Sequence, residues 1–418
     1  MTNDRVCLPL TKGMIVKEVK WFLNREARKQ GTRKVFTGAF SSRNAAEVRR
    51  FHESMPRYRP TPLVRLKNLA GHLGVRDIRV KDESFRFSLG AFKALGASFA
   101  LSRALAGRLR LPTDELSFSI FLQDAFREQI SKITCVTATD GNHGRAVAWL
   151  AKQLGCRAVV YMPKGSADVR LRNIQEFGAE VSIIDGNYDD AVRLAEKHAA
   201  ERDWLLIQDT ARPGYEKIPL WVMQGYMTMC DEALEQMEGS MVTHVFVQCG
   251  VGSFSGACQA FFAERYGHQR PVFVVVEPVN AACYYASMVK GNGKPHVIKG
   301  ALNTIMAGLA CGEPSPLAWG ILRDYADLFI SCPDEVTMTG MRVLGNPLAG
   351  DQRVISGESG AVTVGLLYDF FKDRNYHAVR DVLGLDESSS VLAFSTEGAT
   401  DPEMYQKILS GENPLQTL

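Results

Sequence analysis

The stretch Thr137-Ala138-Thr139-Asp140-Gly141-Asn142-His143-Gly144 decides how this chain is read. It follows the apolar, β-branched run 133–136 and opens the helical pattern 145–154. A turn with two glycines and small polar side chains, set between the carboxyl end of a strand and a helix amino terminus, aims unpaired N–H groups at an anion. A carboxylate or a phosphate is therefore expected there. Asp140 stands out, because a carboxylate beside an anion-binding turn repels an acidic ligand unless it is needed for proton transfer. The combination points to acid/base chemistry on an amino acid.

Outward from this turn, short β-branched runs alternate with helical stretches over most of the chain. Strands are predicted at 78–80, 133–136, 158–162, 181–184, 205–207, 244–247, 272–276, 328–330 and 391–394, with helices between them such as 91–109, 143–154, 168–177, 189–201 and 217–238. Such alternation predicts an α/β fold of parallel sheets covered by helices, with ligands at the carboxyl ends of the strands. The helix from Ala91 sets Leu95, Ser98, Leu101 and Leu105 on one stripe, which is ordinary core-facing amphipathicity. Residues 111–132 read as an added helix-containing connection, and the first 50 residues as a peripheral arm.

The 418 residues are 46% hydrophobic, enough for a large core in two lobes, since single cores rarely grow beyond roughly 250–300 residues. No Pro/Gly/Ser linker separates autonomous domains, so the lobes are expected to be interleaved. A net charge of +3 with scattered Lys and Arg does not suggest a nucleic-acid partner. No run approaches the roughly 18 apolar residues of a membrane span, and cytoplasmic residence is the expectation. The nine cysteines show no metal-finger spacing, which fits reduced structural thiols and no metal site. Cys283 and Cys311 lie in loop-like segments and are candidates for pairing, which sequence cannot establish.

A second glycine loop, Cys249-Gly250-Val251-Gly252-Ser253-Phe254-Ser255-Gly256, follows the strand at 244–247. Its backbone can approach an oxyanion closely, and the next helix dipole can hold a phosphate. The same loop fits a variant dinucleotide fingerprint with Glu277 at the end of the next strand, about 20 residues on, as the ribose acid. An NAD(P)-binding oxidoreductase therefore remains open at this point. Lys93 stands in the first turn of a helix, where the dipole disfavours an ammonium and suits a Schiff-base nucleophile. Alone, such a lysine reads as solvated; beside the two loops it does not.

Lys93 in SLGAFKALG, the turn TATDGNHG, the loop CGVGSFSG with VVVEP after it, and STEG at 395–398 resemble the fold type II pyridoxal-phosphate enzymes, the tryptophan synthase β-like group. Within that group the strings YRPTPL, KDES, YMPKGSA, QDTA, IMAGLACGEP, RVLGNPL and ISGESGAV resemble the diaminopropionate ammonia-lyases, from about Tyr58 to Thr400. The resemblance implies a two-lobed parallel-sheet enzyme with interleaved domains, residues 1–94 and 213–418 forming the large cofactor-binding one and 95–212 the small one. It also implies a homodimer.

By that resemblance Lys93 would carry pyridoxal 5'-phosphate, with Phe92 beside it. Gly250, Val251, Gly252 and Ser253 would hold the phosphate, although Cys249 and Val251 stand where many relatives have glycine. Asn142 would bond the phenolic oxygen, and Ser395 or Thr396 the pyridine nitrogen. A neutral hydroxyl there leaves the ring less protonated, which favours elimination over transamination. Thr139, Gly141, Asn142 and His143 would receive the substrate carboxylate. Asp140, in place of the Ser or Thr of most dehydratases, and Asp209, after the strand at 205–207, would serve the β-amine, which must leave protonated. Asp209 also reads as a helix cap or turn residue, His143 as a packed side chain, and Tyr188, Asp189 and Asp190 as a helix start. For Glu358 a role lining the cofactor and a role orienting a loop stand level. The implied reaction is α,β-elimination of 2,3-diaminopropionate to pyruvate and two ammonia. A pyridoxal-phosphate serine or threonine dehydratase is the nearest alternative, and a catalytically silent amino-acid sensor a more distant one.

Overall fold

The computed structural model describes residues 19–29, 35, 37–112, 116–139 and 141–414. Asp140, assigned above to catalysis and to substrate binding, lies outside the described residues. Among the described residues eleven strands form two sheets: β1 (Lys20–Leu23), β2 (Leu63–Arg65), β3 (Asp77–Asp82), β4 (Thr134–Ala138), β5 (Arg157–Met162), β6 (Glu180–Ile183), β7 (Leu205–Leu206), β8 (His244–Gln248), β9 (Val272–Pro278), β10 (Leu328–Cys332) and β11 (Ser390–Ser395). The larger sheet runs in the order β1-β10-β9-β8-β11-β3-β2, and the smaller β6-β5-β4-β7.

The smaller sheet is wholly parallel. In the larger one the inner strands are parallel, while the edge strands β1 and β2 run antiparallel to β10 and β3. The α/β, two-lobed architecture expected from the alternation is present. The inner strands read as continuous apolar runs such as Val272-Phe273-Val274-Val275-Val276 because helices cover both of their faces. All four strands of the smaller sheet lie between β3 and β8 in sequence, so the lobes are interleaved, as the missing linker suggested.

The helix Lys93–Arg108 departs from the simple stripe. Leu95, Ser98, Leu101 and Leu105 are fully buried, and so is nearly every residue from Ala94 to Ser102. The helix lies in the interior, packed on Lys217–Gly225 and on Asn142–Leu154. The single helix predicted over 217–238 is instead two, Lys217–Gly225 and Met227–Gln236, with Gly225 seated against the Leu95 carbonyl where no side chain fits. In the arm, Lys20–Leu23 supplies an edge strand and Arg28 pairs with Asp327 at 2.7 Å. Among the described residues no helix is long and apolar enough to cross a membrane.

Candidate active site

The carboxyl ends of β4, β8 and β11 converge on one cavity, which Lys93 and Asp209 both line. Lys93 begins its helix after an unusual approach. Phe87 and Ser88 both adopt positive φ (50° and 61°), and Gly90 follows at 73°. That left-handed path costs L side chains energy and persists where the surroundings hold it. Here the Phe92 N–H donates to the Thr396 carbonyl at 3.1 Å, and the Gly398 N–H to the Gly90 carbonyl at 2.8 Å. The chain before Lys93 is thereby fastened to the segment after β11.

Behind it lies a fully buried charge cluster. Arg86 donates to Glu83 and Glu232 at 2.8 Å, and Lys81 reaches Glu232 at 2.6 Å. Tyr58 and the Thr61 N–H also donate to Glu232. Two cations face two anions here, so the charges are mutually compensated as burial demands. The strings YRPTPL and KDES serve this cluster, not the cavity.

The Lys93 ammonium meets Asp209 Oδ2 at 2.5 Å. The other oxygen accepts from the Tyr188 hydroxyl at 3.1 Å, and Tyr188 in turn accepts from Gln208 Nε2 at 2.8 Å. Burial works to raise the Asp209 carboxyl, but the Lys93 charge and the Tyr188 hydroxyl outweigh it and hold it below the ordinary carboxylate range. His143 is buried, donates Nε2–H to the Ile207 carbonyl at 2.8 Å, and holds Nδ1 4.0 Å from Asp209. Burial keeps its pKa below the usual imidazole value, so the ring is neutral.

In the turn, the Gly141 N–H donates to Thr139 Oγ1 at 2.9 Å. This leaves the N–H groups of Asn142, His143 and Gly144 ahead of the first intrahelical bond, which runs from Arg145 to the Gly141 carbonyl. Asn142 Nδ2 donates to Glu397 Oε2 at 2.5 Å, and the other Glu397 oxygen accepts the Ser359 N–H at 2.9 Å.

Gly250, Val251, Gly252 and Ser253 line the cavity, and the helix Ser253–Tyr266 points its amino end there. Gly252 has φ of 96°, and a Cβ on it would collide with the Tyr284 hydroxyl, which donates to the Val251 carbonyl at 2.7 Å. The Ser253 hydroxyl donates to the Asp209 carbonyl. Phe92 and Thr396 also line the cavity. Ser395 does not: it is fully buried and its hydroxyl donates to Ser356 Oγ at 2.8 Å. Of the pair offered for the ring nitrogen, only Thr396 faces the cavity.

Other expectations need correction. Tyr188 is more than a helix start, since its hydroxyl holds Asp209. Glu358 stands outside the lining, with its carboxylate 3.8 Å from Arg170 Nη2. Glu277, the ribose acid of the dinucleotide reading, is fully buried and accepts the Tyr284 and Tyr285 N–H groups at 2.8 and 2.7 Å. Burial pushes its carboxyl up to about 8, so it offers no charge to a ribose. Cys283 and Cys311 are both buried and are not joined by a disulfide. Glu397 and the loop through Leu309, quoted above only within STEG and IMAGLACGEP and given no role there, enter the lining, as does Gln248, which the sequence did not single out.

The profile of the family described as pyridoxal-phosphate dependent enzyme matches residues 55–383, and the chain belongs to that family. Within it, the chain is 47% identical over 395 residues to the diaminopropionate ammonia-lyase of Salmonella typhimurium, an alignment covering 94% of this chain and 98% of the relative. The crystal structure of the Escherichia coli diaminopropionate ammonia lyase in complex with an aminoacrylate-PLP azomethine reaction intermediate superposes with a TM-score of 0.85 at 45% identity, covering 94% of this chain and 97% of that one. A biosynthetic L-threonine dehydratase of Salmonella typhimurium is 23% identical over 245 residues, 59% of this chain and 44% of the relative.

Pyridoxal phosphate is the cofactor of this chain, and the cavity suits it. An amine, a glycine loop at a helix amino terminus and a cavity-facing hydroxyl supply the kinds of partner that an aldehyde, a phosphate and a ring nitrogen require.

Proposed function

We propose that the chain converts 2,3-diaminopropionate to pyruvate and two ammonia by α,β-elimination, with a large lobe of residues 1–94 and 213–418 and a small lobe of 95–212. The observation that carries the reading is the 2.5 Å contact between Lys93 Nζ and Asp209 Oδ2 inside the cavity. A buried carboxylate kept ionised is the partner a β-ammonium needs, whereas a β-hydroxyl leaving group gains nothing from it. The weaker similarity to a threonine dehydratase agrees.

Bound pyridoxal phosphate supplies the ring that withdraws electrons as the Cα proton leaves. Lys93 anchors the cofactor, and once the substrate amine takes its place its Nζ accepts the Cα proton from one face. Asp140, between Thr139 and Gly141, is assigned to the opposite face, which would let one site serve both enantiomers. Asp209 Oδ2 holds the β-ammonium, and Tyr188 keeps that carboxylate oriented. The N–H groups of Asn142 and His143, beside Thr139 and Gly141, receive the substrate carboxylate. Gly250, Val251, Gly252 and Ser253 with their helix take the cofactor phosphate, Asn142 its phenolic oxygen and Thr396 its ring nitrogen, with Phe92 packed alongside. A homodimer and cytoplasmic residence belong to the same reading.

The test is turnover of the cofactor-loaded protein with DL-diaminopropionate, L-serine and L-threonine, measuring pyruvate or 2-oxobutyrate and ammonia. Two ammonia per pyruvate, with the diamine preferred, supports the proposal. Faster turnover of the hydroxyl amino acids would move the chain to the dehydratases.

A further inference from the structure

We infer that Gln248 is a positioning residue that fixes the Thr396 hydroxyl as a hydrogen-bond donor into the cavity, so that the cofactor's ring nitrogen is held unprotonated. The inference rests on the reading of this cavity as the pyridoxal-phosphate site. Gln248 ends β8 and is 2% exposed. Its amide nitrogen lies 3.0 Å from the Phe394 carbonyl and 2.7 Å from Thr396 Oγ1. A carbonyl oxygen only accepts, so the group facing Phe394 must be the NH₂ and not the amide oxygen. Both hydrogens of that nitrogen are then committed, one to Phe394 and one to Thr396.

A hydroxyl that accepts from Gln248 still has its own proton to place. Thr396 is 3% exposed and lines the cavity, and the neighbouring Ser395 hydroxyl is already turned to Ser356. The remaining direction for the Thr396 proton is the cavity. A pyridine nitrogen with a free lone pair completes that bond. A protonated nitrogen would set two donors against each other and leave the Thr396 proton buried without an acceptor. The polarity of the contact is thus set one residue back, by the side chain at position 248. A hydroxyl alone does not fix it, because a hydroxyl both donates and accepts.

The test compares the wild type with Gln248→Glu, both loaded with pyridoxal phosphate labelled with ¹⁵N in the ring. An ionised carboxylate at 248 only accepts, which turns the Thr396 hydroxyl toward it. The wild type should show the ¹⁵N shift of an unprotonated, hydrogen-bonded pyridine, and Gln248→Glu a shift displaced toward pyridinium, with turnover lowered roughly tenfold or more while the cofactor stays bound. Gln248→Met, which has no polar group, should move the signal to that of a nitrogen without a fixed donor, and it serves should Gln248→Glu not retain cofactor. A pyridinium shift in the wild type overturns the inference, as does a shift that neither substitution moves. A wild-type protein that takes up no pyridoxal phosphate would instead sink the parent reading.

Discussion

Asn142 and Glu397 meet at 2.5 Å across the join between the two sheets: Asn142 opens the helix after β4, and Glu397 follows β11. The Ser359 N–H donates to the second carboxylate oxygen, so one side chain ties its own loop to two helix starts beside the cavity. Glu397→Ala should cost about 2 kcal/mol through loss of hydrogen bonds to a charged acceptor. Urea unfolding of the cofactor-free protein measures it, and an unchanged midpoint would show that the tie does not form in solution.

Lys93→Ala should lower turnover by roughly 10²–10⁴-fold and abolish the fixation of cofactor to the chain by borohydride, read by peptide mass. Asp209→Asn should retain that fixation yet lose a similar factor in turnover with diaminopropionate, because an amide cannot hold the β-ammonium as a carboxylate does. Asp140→Asn should lose the D enantiomer and keep the L form. Equal loss on both enantiomers counts against the division of faces.

Glu358 gives a pH prediction. Burial, reinforced by the neighbouring Glu397 and opposed by Arg170, raises its carboxyl to about 7. Between its ordinary value of about 4.5 and 7, the folded protein keeps a proton that the unfolded chain has lost. Stability from this group is therefore full below that window and declines as pH rises through it. Glu358→Gln should remove the decline and narrow the difference in unfolding free energy between pH 5 and pH 8, an effect on the order of 1–3 kcal/mol. A variant with the wild-type slope would refute the assignment.

The buried cluster behind the Lys93 approach should be sensitive in another way. Arg86→Met removes one cation, leaving Glu83 without an ion-pair partner and Glu232 with Lys81 alone, a loss of about 3–5 kcal/mol. Thermal unfolding should show it even without cofactor. A fall seen only in the loaded enzyme would mean that the cluster acts on the cofactor directly.

Most of the parallel strands, β4, β5 and β8 to β11, were legible because they are buried and largely apolar on both faces. β1 and β2 were not, since they are short edge strands of mixed polarity in which Lys20 and Arg65 stay exposed. Lys93, the turn after β4 and the loop after β8 announced themselves through glycine and helix-start patterns. The choice between Ser395 and Thr396 could not be made from sequence, because successive residues along a strand point to opposite faces and nothing in STEG marks which face is the cavity. Tyr188 was hidden by its place at a helix start, where an aromatic looks like packing. Gln248 is one polar residue at the end of an apolar strand, and its role depends on Phe394 and Thr396, nearly 150 positions away. Two of the strings that carried the resemblance, YRPTPL and KDES, turn out to build the buried ion cluster, so family likeness marked support as well as chemistry.

The place of β11 between β8 and β3 sets an order on biosynthesis. The whole span from β3 to β11 must be synthesised before Thr396 can join Lys93, so a complete cofactor site forms only after that span has been made. Until then the larger sheet exists as two unjoined halves with open edges, and a nascent chain stalled before residue 390 would be a client for chaperones and not a partial enzyme.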